Sequence, residues 1–206
     1  MPFDELNTFR EMATRYVTEP LTNSEKERLR DDMWEYIEFL LIEAYTYGNV
    51  QAMQDLGLLD KDPADLINPD VMEQTINEEI AGKTYKDRIR EYLDAEGSTV
   101  EDFTRVAETD ATRVYNAGVV DGGRNSGVRG VRKQWITMDD DRVRSTHDYL
   151  ADMVVPLNED FYTYDGDHAR APGLFTLPEN NCGCRCTLTL IREEPPFVAF
   201  FKRVNA

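Results

Sequence analysis

The feature that most limits how this chain can fold is the stretch EGSTVEDFTRVAETDATRVYNAGVVDGG, residues 96–123. Val100, Phe103, Val106, Ala107, Val114 and Ala117 recur at three-and-four spacing, which predicts a long amphipathic helix with one apolar stripe. Ser98 and Glu101 stand in capping-box spacing and predict its start. Gly122 and Gly123 predict its end.

Other helices are expected ahead of it. In NSEKERLRDDMWEYIEFLLIEAYTYG, residues Leu29, Met33, Trp34, Ile37, Leu40, Leu41, Ala44 and Tyr45 form a second stripe, with Asn23 or Ser24 as N-cap and Gly48 as the stop. Shorter helices are predicted over Asp70–Ile80 and Thr84–Leu93. Beyond residue 123 the pattern changes. VRKQWITM alternates like a strand, DDD reads as a turn, and a short helix is expected from Arg142 to Leu150. MVVPL, a loop rich in Asp, Gly and Pro, and the strand TLTLI follow. The expected class is α+β: an acidic helical region over 1–97, a small mixed α/β unit over 98–194, and an apolar tail over 195–206. That tail, PPFVAFFKRV, offers Phe197, Phe200 and Phe201 either as anchors on another chain or as contacts with its own domain.

The formal net charge is −17, and nearly all the excess acid lies in residues 1–110. That half repels phosphate backbones and suits a basic protein partner. No apolar run approaches the ~20 residues of a membrane span. The opening MPFDELNTFREMATRY lacks the basic lead and greasy stretch of a secretion signal, so synthesis in a reducing cytoplasm is expected. An odd total of three cysteines is also unlike a disulfide scaffold.

All three cysteines stand at alternate positions in ENNCGCRCTLTL, as Cys182, Cys184 and Cys186. With His147 they are the right ligand types for zinc. An extended Cys-x-Cys holds its sulfurs ~6 to 7 Å apart, which argues against a zinc knuckle, although Gly183 can tighten the turn. The plainer reading is small buried hydrophobes packed under the His147 helix. Arg185 can lower a neighbouring thiol pKa, but on a strand it faces the other way.

DDDRVRSTH admits a metal-dependent hydrolase or nuclease that uses His147 with the acidic and cysteine residues. Three consecutive carboxylates cannot all face one ion. The structural alternative has Asp139–Asp141 forming an Asx turn while Arg142 or Arg144 pairs with Glu159. GGRNSGVRGVRK carries Arg124, Arg129, Arg132 and Lys133 with no acid, a surface for DNA or an acidic partner, or simply a solvated loop.

Taken in order, these segments resemble the phage Mu F-like head morphogenesis family. The resemblance rests on Trp135 and Thr137, then Asp140, Arg142, Val143, Arg144 and His147, then Leu157, Glu159 and Phe161, then Pro172 and Gly173, then the cysteines. It covers roughly residues 100–192. The family's usual ending is Asn-Cys-Arg-Cys, whereas here Gly183 precedes Cys184-Arg185-Cys186 and an extra Asn181-Cys182 lies upstream. The resemblance implies a minor capsid protein inside the virion near the portal. Its partners would be the portal protein, scaffold or major capsid protein, and packaged DNA. It would act by binding, with no catalytic residue and no cofactor; a structural zinc is the alternative reading of His147 and the cysteines. Trp135, Asp140, Arg142, Arg144, Glu159 and Pro172 would then be internal framework.

Overall fold

The structure, a computed structural model, describes residues 4–193. The tail residues Phe197, Phe200 and Phe201 lie outside the described residues.

Two long helices form the spine, α2 (Asn23–Leu56) and α5 (Val100–Asn125). Both begin on capping boxes, one or two residues away from the positions the spacing suggested. Thr22 caps α2 with Glu25, and Thr99 caps α5 with Asp102, each side chain answering the other's backbone N–H. Ser98 is free for another task because Thr99 takes the cap, and its hydroxyl donates to the Tyr92 carbonyl. The end of α2 is Gly57, in the left-handed conformation with φ 69°.

The glycines expected to stop these helices sit inside them. A Cβ on Gly48 would fall within hard contact of the Tyr115 carbonyl oxygen and 2.9 Å from the Val119 nitrogen. Gly118 answers from the other helix, where a Cβ would press on the Tyr45 carbonyl and reach 3.3 Å from Asn49 Nδ2. Gly122 faces Ala52, and Gly123 faces Leu190 and Leu157. Gly48, Gly118 and Gly122 let the two backbones meet and Gly123 makes room for leucine side chains, and the helices continue through them because packing offsets the poor helix propensity of glycine.

On one side of the spine, α1 (Asp4–Thr18), α3 (Pro69–Ile76) and α4 (Tyr85–Asp94) cover a core of Phe9, Met33, Ile37, Leu41, Tyr45, Ile89 and Phe103. The third helix ends four residues early. Buried Arg113 on α5 donates to the Thr75 and Ile76 carbonyls at 2.7 and 3.0 Å, and Ala81 and Gly82 then turn with positive φ between Ile80 and Lys83.

On the other side, β1 (Val131–Ile136) is the centre of an antiparallel sheet ordered β2-β1-β5, with β2 at Val154–Pro156 and β5 at Thr187–Arg192. Between them lie α6 (Ser145–Asp148), the hairpin β3 (Phe161–Tyr162) with β4 (His168–Ala169), and α7 (Pro178–Asn181). The expected helix over Arg142–Leu150 shrinks to one turn because Arg144 is extended, with ψ 151°. The second core gathers Trp135, Leu150, Phe161, Phe175, Leu188 and Leu190 against Ala117, Val119 and Val120 of α5. No helix among the described residues is long and apolar enough to cross a membrane.

Gly118→Ala and Gly48→Ala should each lower the denaturation midpoint, by an overpacking cost of about 1–3 kcal/mol. Gly127→Ala, at an open position with φ 73°, shows the loss from left-handed backbone strain alone, without any steric contact. Chemical denaturation of the three variants tests this, and unchanged midpoints for both spine variants would refute the close crossing.

Candidate functional site

The residues carrying the family resemblance converge behind β1, in the second core. Strand alternation turns Val131, Lys133 and Trp135 inward. Trp135 is fully buried and meets the rings of Phe161, Phe175 and His147 at 5.1, 5.7 and 5.4 Å. His147, delivered by α6, lies flat on Phe175 with centroids 5.3 Å apart.

Cys184 and Cys186 precede β5 and continue its alternation, so both thiols point inward beside Leu188 and Leu190. Their Sγ atoms stand 3.6 and 3.5 Å from His147 Nδ1, and the three ligand atoms lie within 4.8 Å of one another. This is closer than an ideal extended pair allows, because the chain enters from a turn at Gly183 with φ 67°. Cys182 is exposed and outside the group. Only its carbonyl takes part, accepting from Arg144 Nη2 at 2.6 Å.

The two buried thiols differ electrostatically. A hydrogen bond from Cys186 holds the Cys184 thiol below the ordinary range, helped by the Arg144 charge and opposed by burial. The same hydrogen bond, reinforced by burial, pushes Cys186 far up.

Polar side chains hold the surrounding loops. Asn116 on α5 receives the Leu188 N–H at 3.0 Å and donates to the Cys186 carbonyl at 3.0 Å. Asp55 on α2 receives the Leu190 N–H at 2.7 Å. Together they cover the free edge of β5, the side not paired with β1. Burial pushes the Asp167 carboxyl up, but bonds from the Thr176 hydroxyl, the Asn180 side chain and the Leu177 and His168 amides hold it below the usual range, and the Thr176 amide also donates to it. Asn181 closes reciprocally on the backbone of Phe175.

Asp140 makes the expected Asx turn, accepting from the Arg142 N–H at 3.1 Å. Its ion-pair partner differs from expectation. Arg185 grips it with both guanidinium nitrogens at 2.8 and 2.7 Å, whereas Glu159 is exposed and pairs with neither Arg142 nor Arg144. Arg142 is exposed in the turn that Asp140 makes. Pro172 is buried ahead of Gly173, which rides against the Arg113 backbone where a Cβ would stand 3.0 Å from Cα.

The basic segment is also divided. Lys133 is fully buried, donates to the Arg170 carbonyl at 2.6 Å and lies over the Phe161 ring, so it is not a surface contact for DNA. Arg124 pairs with Asp121 and Arg132 with Glu193, leaving Arg129 exposed on the loop. Among the described residues, the only cluster of ligand-type side chains is His147, Cys184 and Cys186, and it holds no carboxylate. Magnesium takes oxygen ligands, so the hydrolase grouping of His147 with Asp139–Asp141 is not assembled.

Asn116, Asp55, Asp167 and Arg113 escaped the sequence reading. The visible signal was a polar residue within an apolar stripe, as with Asn116 between Val114 and Ala117.

The architecture is that of a two-helix spine closed by a small β domain. The sequence matches the family described as Phage Mu protein F like protein over residues 70–189, and the chain belongs to that family. Among curated proteins it is 28% identical over 108 residues to "NAD(+)--arginine ADP-ribosyltransferase EFV" of Enterococcus faecalis (strain ATCC 700802 / V583), covering 52% of this chain and 22% of that one. It is also 28% identical over 86 residues to "Minor head protein GP7" of Bacillus phage SPP1, covering 41% of this chain and 28% of the relative. These alignments span less than a third of either relative. No solved structure matches.

Burial pushes the Lys133 ammonium down to about 8. Its pKa in the unfolded chain is higher, so between the two values the unfolded state binds more protons and stability rises with pH. The wild type should gain stability relative to Lys133→Met between pH 8 and about 10.4. Denaturation midpoints across that window check this, and parallel profiles would overturn it.

Proposed function

We propose that this protein is a phage minor head protein that enters the assembling capsid near the portal and acts there by binding. The observation that supports this most is the family match over 70–189, which takes in nearly the whole second core and one side of the first. The direction of the site residues agrees. Trp135, Arg144 and Asp140 are engaged in holding loops to one another, and no substrate-sized cavity opens on them. The partial likeness to an ADP-ribosyltransferase covers 22% of that protein, too little to bring its activity here.

Partner contacts would come from the surface. Tyr149 and Tyr164 are more than half exposed and touch edge to face at 5.8 Å, and Tyr164 meets the Ser145 hydroxyl at 2.8 Å. Exposed tyrosines held in place give contact area with little further ordering cost, as hot-spot residues do. The acidic helices suit a basic protein surface such as portal or scaffold. Packaged DNA is a lesser partner. With Lys133 buried and two arginines paired, the basic loop supplies few phosphate contacts, each adding about −0.9 to the salt slope.

Co-expression with portal, scaffold and major capsid protein, followed by sedimentation, tests the reading. The chain is expected with procapsids. Tyr149→Ala with Tyr164→Ala should reduce that incorporation several-fold while leaving thermal stability nearly unchanged. A chain that stays at the top of the gradient in the presence of portal-containing particles would overturn the proposal.

A further inference from the structure

We infer that His147 Nδ1, Cys184 Sγ and Cys186 Sγ form a zinc site whose fourth position is left for a single water. The inference stands on geometry and does not depend on the head-protein reading.

Three observations carry it. The first is distance. Tetrahedral zinc with Zn–S of about 2.3 Å and Zn–N of about 2.0–2.1 Å places sulfur and nitrogen about 3.5–3.6 Å apart. The two Sγ–Nδ1 separations are 3.6 and 3.5 Å, which match that spacing, and all three ligand atoms lie within 4.8 Å of one another.

The second is valence. Nδ1 has one lone pair or one proton, yet two sulfurs approach it equally. Protons alone satisfy one of these contacts well and leave the other weak. A cation at the centre of the triangle satisfies all three atoms together. Two thiolates and an imidazole are soft and borderline donors, a set that suits zinc and excludes magnesium or calcium.

The third is the surroundings. Among the described residues, Arg144 Nη1 is a buried side-chain atom with no hydrogen-bond partner. Beside the triangle lies a cavity of about 10 Å³, close to one water, lined by Arg142, Arg144 and Arg185 together with the three ligands. A water on the fourth zinc position would occupy it and give the unpartnered Arg144 Nη1 an acceptor. The two thiolates neutralise the ion, which makes its enclosure between Trp135 and Phe175 tolerable. Nε2 of His147 then carries the ring proton.

The test is metal analysis of the full chain purified under reducing conditions without chelator, followed by exchange with cobalt. The expected result is one zinc per chain and, in the cobalt form, the intense visible bands of a tetrahedral thiolate-bound ion. Cys184→Ser and Cys186→Ser should each lose most of the metal, while Cys182→Ser keeps it, because that thiol is outside the triangle. Since the buried variants can misfold, the wild-type cobalt spectrum decides independently of them. A metal-free wild type that also fails to take up cobalt overturns the site. So does full zinc retention by the Cys184→Ser, Cys186→Ser double variant, or a loss of metal in Cys182→Ser equal to that in Cys184→Ser.

Discussion

The close crossing of α2 and α5 is the contact on which the remaining structure depends. Gly48 and Gly118 let each backbone lie on a carbonyl of the other helix, and Gly122 extends the seam to Ala52. At that spacing polar groups of one helix reach the other. Tyr45 donates to Asp121 across the crossing at 3.1 Å, and burial with that nearby carboxylate raises the Tyr45 pKa. Further along, the same proximity brings Asp55 of α2 and Asn116 of α5 to one strand edge, where they bind alternate amides of β5. A wider crossing would separate those two side chains and leave the edge of β5 open.

This dependence explains which parts of the fold were legible in the sequence. Apolar periodicity located both spine helices, and the alternation in VRKQWITM and TLTLI located the sheet, since these patterns follow from local geometry. The same local rules misjudged Gly48, Gly122 and Gly123, because a glycine that ends a helix and one that admits a neighbouring helix look alike in one dimension. The end of α3 was misplaced for a similar reason. Arg113, distant in the sequence, takes the carbonyls that would otherwise have been left to the next turn.

The site was legible in its members and less so in its wiring. Trp135, His147 and the cysteines were singled out together, and they do meet, except that Cys182 stands outside. Charge pairing proved harder. The residue types suggested Arg142 or Arg144 with Glu159, whereas the pair that forms is Asp140 with Arg185. Lys133 shows the converse case. Its membership in a basic run suggested exposure, whereas its place between Val131 and Trp135 on an alternating strand puts it inside. Period two was the stronger evidence, because a strand cannot turn one residue outward without a bulge.

The wiring has a direction. From the spine, Asn116 fixes the backbone of Cys186 and Leu188, and these place the two inward thiols. From the opposite side, Asp167 and Asn181 fix the loop that carries Phe175, and Phe175 sets the plane of His147. The triangle of His147, Cys184 and Cys186 is thus where two independently held segments meet, and the side chains linking β5 to the loop over 163–181 converge there. An ion at that point would tie the strand held by the spine to the helix turn that bears His147. That arrangement suits a small domain whose sheet has only three strands among the described residues.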